Sequence, residues 1–353
     1  MRSCEREVRA FVDLNIHSGL RSWSQVFVFE LREPEPLIFG KRSWSRSQSF
    51  YRRLRSPAIN SNFSTIKHSG YLLYADDLKI YKSISKPSDI ALLQSDLNSI
   101  QLWLNKNKLS FCPQKCEYVQ FTRKRTTIPS SYTINNVPLK LQVHKKDLGV
   151  TFSKNLSFND HIENVALSSL KILGFVMRTL HRVDDPDSFL LLYKSLVLSK
   201  LSYASVVWMP TTGTYRHLLE TVQASFCRRL FFRLNGFYPV YPEGISYSDL
   251  REHLSLPSIE SHHKITSLQI LHRIMNNRID SMDLVSDVCL VVPSIRTRAL
   301  NNVSLFYIPN NSFTSISPLY QILKLYNRCH RQLDLSLTFD GFARAVVGVA
   351  EFN

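Results

Sequence analysis

The spacing of apolar residues changes once along this 353-residue chain, close to Phe158. Before that point, short apolar runs alternate with polar residues, as in half-buried strands. After it, apolar residues recur every three or four positions, as in amphipathic helices. The pattern therefore predicts an α+β fold class, in which a small mixed unit is followed by a helical region.

The mixed part is predicted to begin with a hairpin over residues 71–81, where two apolar runs flank Ala75, Asp76 and Asp77. A helix is expected to begin at Pro87, because proline is favoured at the first helical position. Further strands are expected over 116–122 and 148–152. The apolar residues of the predicted helix share one face: Ile90, Leu93, Leu97, Ile100 and Leu104.

The spacing of apolar residues and the distribution of charge divide the chain into four parts. We expect a basic, poorly ordered leader over 1–57, an α+β unit over 58–157, a helical region over 158–282, and a weakly structured tail over 283–353. The predicted helices beyond Phe158 lie near 159–180, 185–208, 214–233, 258–277 and 318–327.

The charge balance predicts a polyanionic partner. The chain has 44 Lys and Arg against 28 Asp and Glu, a net charge of +16, and such an excess attracts nucleic acid first and an acidic membrane surface second. Ten basic residues and two acidic ones lie between Lys106 and Lys154. The alternative is a solvated charged face. The candidate nucleic-acid contacts in this stretch are Arg123, Lys124, Arg125, Lys145 and Lys146.

Scarcity of glycine excludes several classes of enzyme. The chain has 10 glycines and contains no G-x-G-x-x-G, no Walker loop, no G-x-S-x-G and no H-E-x-x-H. Dinucleotide binding, P-loop hydrolysis, serine hydrolysis and zincin chemistry therefore lack their usual signatures.

The N-terminus has no apolar stretch typical of a secretory signal, and the longest apolar run, 189–208, is broken by Lys194 and Lys200. We therefore expect an intracellular chain without a membrane anchor, with its six cysteines as free thiols. Two interpretations of the basic segment 40–56 stay open. It is either a mobile arm or an arm for nuclear localisation or RNA contact.

Asp76 and Asp77 are adjacent carboxylates at the bend of the predicted hairpin, and this position suggests a catalytic role. Adjacent carboxylates repel, and a divalent cation such as Mg²⁺, which binds carboxylate and phosphate oxygens, relieves that repulsion. Phosphoryl transfer is the corresponding reaction class. The alternative is a surface turn, since aspartate is common in turns.

The wider segment from Ile66 to Tyr81, with Tyr74-Ala75-Asp76-Asp77 at its bend, resembles the catalytic hairpin of reverse transcriptases of non-LTR (LINE-type, Jockey-like) retrotransposons. Segments 103–117, 147–162 and 193–223 resemble the family blocks that follow it, and the resemblance spans about residues 58–335. It implies a truncated polymerase palm followed by a helical thumb and a helical tail.

The resemblance also implies roles for individual residues. Asp76 and Asp77 would hold Mg²⁺ for RNA-directed DNA synthesis, Tyr74 and Ala75 would lie at the primer end, and Lys115 would lie near the triphosphate. Leu148, Gly149 and Val150 would hold the primer strand. The implied partners are an RNA template, a DNA primer and deoxynucleoside triphosphates.

Two upstream blocks of the family, F-x-D-x-x-x-A-F-D and G-x-P-Q-G-S, do not occur before Asp76, and Phe11-Val12-Asp13 only begins like the first of them. The isolated chain is therefore expected to be inactive unless another polypeptide complements it. Without the missing strand, the predicted hairpin would also have an unpaired edge. The alternative function is a non-catalytic basic RNA- or DNA-binding protein, or the product of a decayed element.

Overall fold

The computed structural model describes residues 24–32, 65–74, 77–107, 110–111, 113–122, 128–238, 244–279, 282–291, 305–310 and 317–350. Its helices and small sheets confirm the expected α+β class. Two compact units divide between Ser157 and Phe158. We call residues 24–157 the sheet unit and residues 158–350 the helical unit.

The sheet unit has one long helix, α1 (Pro87–Lys106), and a short 3₁₀ turn (Pro113–Lys115) among its described residues. Its described strands are β1 (Ser24–Arg32), β2 (Gly70–Tyr74), β3 (Asp77–Ser83), β4 (Ser110–Phe111), β5 (Glu117–Gln120), β6 (Thr133–Ile134), β7 (Val137–Pro138), β8 (Lys140–Gln142), β9 (His144–Asp147) and β10 (Val150–Ser153).

The main sheet has the order β2-β3-β1-β5-β8, with β4 paired to the end of β1. The neighbours in it are antiparallel except β5 and β8, which run parallel. β9 and β10 form a separate antiparallel hairpin, as do β6 and β7.

The leader contributes a strand to the middle of this sheet, which differs from the poorly ordered arm expected over 1–57. β1 pairs with β3 from Ser24 opposite Ser83 to Glu30 opposite Asp77, and its other side pairs with β5. The segment alternates valine and phenylalanine, residues that favour strands. The edge of β3 that was expected to be open is therefore paired. The remainder of the predicted leader lies outside the described residues.

Helix α1 covers the apolar side of the hairpin strands. Asp89 in its first turn accepts hydrogen bonds from the backbone N–H groups of Ser85 and Lys86, at 2.8 and 2.9 Å, which satisfies two donors ahead of the helix. Its predicted apolar face belongs to the same core as Leu78 and Ile80 of β3, with Ile90 partly buried and four residues fully buried: Leu93, Leu97, Ile100 and Leu104.

The helical unit is an assembly of helices that begins at Asn159. None of the described helices is both long and apolar enough to cross a bilayer. The described helices are α2 (Asn159–Thr179), α3 (Pro186–Leu192), a π-helical segment (Tyr193–Leu198), α4 (Ser199–Ser202), α5 (Ser205–Trp208), α6 (Gly213–Asn235), α7 (Tyr247–His253), α8 (Ile259–Met275), α9 (Met282–Ser286), α10 (Pro318–Cys329) and α11 (Phe339–Ala350).

Two features of this unit differ from the prediction. The helix expected over 185–208 is interrupted at Ala204, whose φ of 51° is left-handed and ends α4 before α5 begins. The tail over 283–353, expected to be weakly structured apart from a helix near 318–327, also contains α11, whose Phe342 and Val346 are fully buried. The sequence of α11 predicts a helix only weakly, because glycine and valine have low helix propensity. The stability of α11 therefore comes from its packing against α8.

Candidate functional site

The hairpin of β2 and β3 carries the segment with the paired aspartates. The register pairs Tyr74 with Asp77 and Gly70 with Tyr81, so that Ala75 and Asp76 connect the two strands. Ala75 and Asp76 lie outside the described residues, as do the side chains of Tyr74 and Asp77. The predicted strand, turn and strand over 71–81 thus corresponds to a hairpin with a two-residue connection.

Two contacts position this hairpin. The buried carboxylate of Asp96 on α1 accepts the backbone N–H groups of Lys67 and His68, each at 3.0 Å, just before β2 begins. The ring of Tyr81 lies over Gly70, where any Cβ would collide with it. A larger residue at position 70 would therefore require the Tyr81 ring to move.

The hairpin of β9 and β10 carries Leu148, Gly149 and Val150, the residues expected to hold a primer strand. Asp147 pairs with Val150, which leaves Leu148 and Gly149 as a two-residue loop with φ angles of 44° and 89°. Two successive positive φ angles are typical of the type I′ turn that joins tightly paired strands. Glycine suits its position, whereas Leu148 adopts the left-handed conformation at a cost of roughly 1 kcal/mol. Val150 is buried.

A buried ion pair joins the two hairpins. The Nζ atom of Lys79 on β3 lies 2.7 Å from Oδ2 of Asp147 on β9, and both side chains are 6% exposed. Their positions differ by 68 residues. Sequence reasoning assigned no role to Lys79, because nothing local to either residue indicates the contact.

A second ion pair engages one of the predicted nucleic-acid contacts. Lys145 donates to Glu117 at 3.0 Å, and Gln142 donates to the other oxygen of that carboxylate at 2.7 Å. Burial favours the neutral form of Glu117, but these hydrogen bonds outweigh it and hold the pKa of the carboxyl below its usual value. Lys145 is therefore already partnered, whereas Lys146 is exposed on the opposite side of the strand.

Each of the two acidic residues between Lys106 and Lys154 is thus neutralised by a lysine. Arg123, Lys124 and Arg125 lie outside the described residues, and Lys115 is exposed at the end of the 3₁₀ turn. The exposed lysines described in this stretch are Lys106, Lys115, Lys140, Lys146 and Lys154.

The C-terminal part of α6 presents a second surface of cations and aromatic rings. Phe232 and Tyr238 stack with ring centroids 4.3 Å apart, and both are about half exposed. Arg228 and Arg229, one turn before Phe232, are exposed. Aromatic rings beside arginines are typical of surfaces that bind single-stranded nucleic acid.

A buried polar network connects α6 with three neighbouring segments of the helical unit. Gln223 is fully buried, accepts from the Tyr193 hydroxyl at 2.8 Å, and donates to Tyr247 at 3.1 Å and to the carbonyl of Pro257 at 2.9 Å. Burial raises the pKa of the hydroxyls of Tyr193 and Tyr247, so both stay protonated. Tyr247 in turn donates to Glu220 at 2.6 Å.

A buried histidine, His263, lies against Trp208 with ring centroids 5.4 Å apart and bonds the carbonyl of Leu201 through Nε2 at 2.9 Å. Burial lowers its pKa to about 4, from an ordinary value of 6.5. A histidine that stays neutral in the folded state takes up its proton more readily when the chain unfolds. It therefore stabilises the fold fully above pH 6.5, and this stabilisation decreases as the pH falls towards 4.

We expect the free energy of unfolding of the helical unit to fall by about 3 kcal/mol between pH 7 and pH 4 through His263 alone. The variant His263→Gln should flatten this dependence, whatever its effect at neutral pH. Urea denaturation followed by circular dichroism at several pH values measures how the free energy of unfolding depends on pH in the original chain and in the variant. His217→Gln, at an exposed position of α6, serves as the control, and an unchanged slope in His263→Gln would contradict the assignment.

Mg²⁺ in proteins is usually held by one or two carboxylates together with waters and phosphate oxygens. Among the described residues no three His, Cys, Asp or Glu side chains converge to hold a metal ion. The carboxylates expected to do so, Asp76 and Asp77, have no described side chains. Comparisons of the chain with models of known protein families, with curated proteins and with solved structures found no match.

Proposed function

We propose that this chain is the palm hairpin, thumb and tail of a reverse transcriptase from a non-LTR retrotransposon, and that by itself it binds nucleic acid without efficient DNA synthesis. One observation carries the proposal: the elements occur in the order of the motifs they resemble. The hairpin that connects at 75–76 precedes α1, the hairpin that turns at Leu148 and Gly149 follows, and the helices from Asn159 come last.

The ion pair between Lys79 and Asp147 supports this proposal. Lys79 lies two residues from Asp77, and Asp147 directly precedes Leu148, so the pair connects the strand bearing the aspartates to the loop proposed to grip a primer. Polymerase chemistry needs the primer end and the metal ligands at a constant separation. A short, buried ion pair between the two hairpins supplies such a connection.

The charge distribution supports nucleic acid as the partner. The exposed lysines between Lys106 and Lys154 outnumber the two acidic residues of that stretch, each of which is already paired with a lysine. The arginines and stacked rings of α6 add a surface suited to single strands. These surfaces serve equally in a polymerase and in a binding protein that does no chemistry.

The catalytic part of the proposal depends on Asp76 and Asp77, which would hold Mg²⁺, and the ion would activate the primer hydroxyl and stabilise the triphosphate. Residues 1–353 lack the block with the first aspartate. The alternative function is therefore a non-catalytic RNA- or DNA-binding protein, and this absence favours it for the isolated chain.

We expect the purified chain to extend a DNA primer on an RNA template only at background rate in the presence of Mg²⁺. The loss of a metal ligand removes several kcal/mol of transition-state stabilisation, and each 1.36 kcal/mol is about tenfold in rate. Incorporation of a labelled deoxynucleotide measures the rate, with Asp76→Ala as the matched variant. Strong incorporation that disappears in Asp76→Ala would show that the chain carries a complete site, and Asp13→Ala would then test the source of the missing carboxylate.

We expect binding of single- and double-stranded nucleic acid to weaken steeply with salt. Each lysine that neutralises a phosphate contributes about 1 to the slope of log K against log salt. Lys154 lies opposite Val143, midway in sequence between Lys140 and Lys146, since the N–H of Lys154 bonds the carbonyl of Val143 at 2.8 Å. Reversal of all three to Glu should flatten the slope by about 3, measured by fluorescence anisotropy. Reversal of Lys171, Lys194 and Lys200 in the helical unit is the control, and an equal effect there would remove the sheet unit from the proposed interface.

A further inference from the structure

The chain reverses direction at the C-terminal end of α6, which brings four aromatic rings together. Gly236 adopts a φ of 79°, and its N–H bonds the carbonyl of Phe232 at 2.8 Å, which ends the helix. The two rings that follow meet rings of the last helical turns. Tyr238 stacks on Phe232 with ring centroids 4.3 Å apart and planes 14° from parallel. Phe237 lies edge-on to Phe231 at 5.5 Å.

These rings are held by one another and remain open to solvent. The exposed fractions are 41% for Phe232, 59% for Phe237 and 53% for Tyr238, and Leu234 beside them is 44% exposed. In a stacked pair each ring covers one face of the other, so the exposed area of Phe232 and Tyr238 lies on their outer faces and edges. The end of α6 thus presents flat, ordered apolar area that the described part of the chain leaves uncovered.

Exposed arginines border the rings. Residues 221–238 contain three arginines and no Asp or Glu. Arg228 and Arg229 precede Phe232 by four and three positions, so they lie on its side of the helix, and both are exposed. Within the described ranges neither of these two guanidinium groups has an ion pair, whereas Arg233 bonds Asp184 at 3.2 Å. The surface around the rings therefore suits an anionic partner.

We propose that this surface binds a single strand of RNA or DNA, with a base stacked on the pair of Phe232 and Tyr238 and phosphates held by Arg228 and Arg229. An aromatic base continues such a stack, and every base has a face for it, so the binding tolerates any sequence. Guanidinium groups suit phosphate oxygens. In a duplex the base faces are covered by neighbouring base pairs, so a duplex offers the rings no face to stack on.

Binding at α6 rests on the proposed function for the class of partner and adds a distinction between two surfaces. The exposed lysines of the sheet unit contact phosphates, which single strands and duplexes share, whereas the rings of α6 distinguish the two. An acidic protein segment is the competing partner. It suits the observations less well, because its carboxylates would pair with the arginines but leave the parallel rings without a flat partner.

The test compares three probes of about twelve nucleotides: a thymidine strand, an abasic strand with the same number of phosphates, and a duplex. Fluorescence anisotropy with the full-length chain measures each affinity. The thymidine strand should bind about tenfold more tightly than the abasic strand, which has no base to stack. Phe232→Leu/Tyr238→Leu keeps apolar side chains without flat rings and should lose this difference. Phe175→Leu/Tyr307→Leu removes one phenylalanine and one tyrosine of similar exposure elsewhere and should preserve it.

The two arginines are tested by the salt dependence of binding. Arg228→Gln/Arg229→Gln should reduce the slope of log K against log salt for the thymidine strand by about 1.4, since each phosphate contact on a single strand contributes about 0.7. Lys171→Gln/Lys194→Gln removes the same charge at exposed positions of the helical unit and should leave the slope nearly unchanged. An equal reduction in this control would overturn the proposed site.

The remaining outcomes also decide the proposal. Equal affinity for the thymidine and abasic strands overturns it, and if the duplex binds as well, the proposed function stands without this surface. A failure to bind any of the three probes overturns both. Competition by polyglutamate that equals competition by the thymidine strand, and that is lost in the ring variant, identifies an acidic protein partner and also overturns it.

If the ring variant fails to fold by circular dichroism, Tyr238→Leu decides instead, since this residue follows α6 and is about half exposed. It should reduce the preference for the thymidine strand over the abasic strand by about threefold. An unchanged preference in this variant contradicts the proposal.

Discussion

Replacement of Asp147 by Leu should lower the free energy of unfolding of the sheet unit by about 3–5 kcal/mol, because it leaves the Lys79 ammonium buried without a partner. Both side chains of the pair are 6% exposed and 2.7 Å apart. Native-state amide exchange of β3 and β10 measures the change within this unit. Faster exchange in both strands is expected, since the pair joins one hairpin to the other.

The double variant Lys79→Met/Asp147→Leu should recover most of this loss, since a buried ion pair and an apolar pair of similar size are often nearly equivalent in stability. The matched control is Lys145→Gln, which breaks the more exposed pair with Glu117 and should cost no more than about 1 kcal/mol. A double variant as unstable as Asp147→Leu alone would mean that packing around Leu148, rather than an unpaired charge, causes the loss.

In the helical unit, Gln223→Leu should lower the free energy of unfolding by about 3 kcal/mol or more. The leucine side chain has a similar size but removes the acceptor for Tyr193 and the donor for Pro257, and each unsatisfied buried polar group costs about 1–3 kcal/mol. Urea denaturation followed by far-ultraviolet circular dichroism measures the effect.

Gln269→Leu on α8 provides a control at a partly buried position. There the free energy of unfolding should fall by about 0.5 kcal/mol or less. The addition of Tyr193→Phe to Gln223→Leu removes the hydroxyl that lost its acceptor, so part of the stability should return. No recovery in this double variant would show that the loss arises from packing around Gln223 and not from its hydrogen bonds.

Much of the candidate site rests on local patterns that the sequence carries. The spacing of apolar residues in α1 predicted the face that is buried, because residues three or four apart in a helix share one side. The hairpin over 71–81 was predicted from two apolar runs around a short polar connection. The strand expected over 148–152 begins instead at Val150, because Leu148 and Gly149 form the loop between β9 and β10, where Gly149 has a positive φ.

Contacts between residues far apart in sequence were not predictable in this way. Gln223 and Asp96 look like ordinary polar residues of helices, yet each holds the backbone of another segment. Lys145 was predicted to contact nucleic acid but is bonded to Glu117. Its neighbour Lys146 is exposed, and no local pattern distinguishes the roles of two adjacent lysines on a strand.

The sequence by itself determined the α+β class, the buried face of α1 and the position of the hairpin over 71–81, because these depend on the periodicity and backbone preferences of neighbouring residues. The tertiary structure alone decided that β1 from the leader lies between β3 and β5, that Lys79 meets Asp147, and that Gln223 bonds Tyr193 and the carbonyl of Pro257. Strand edges and charged side chains accept many partners. Which partner they meet is therefore decided by how the whole chain buries its apolar surface.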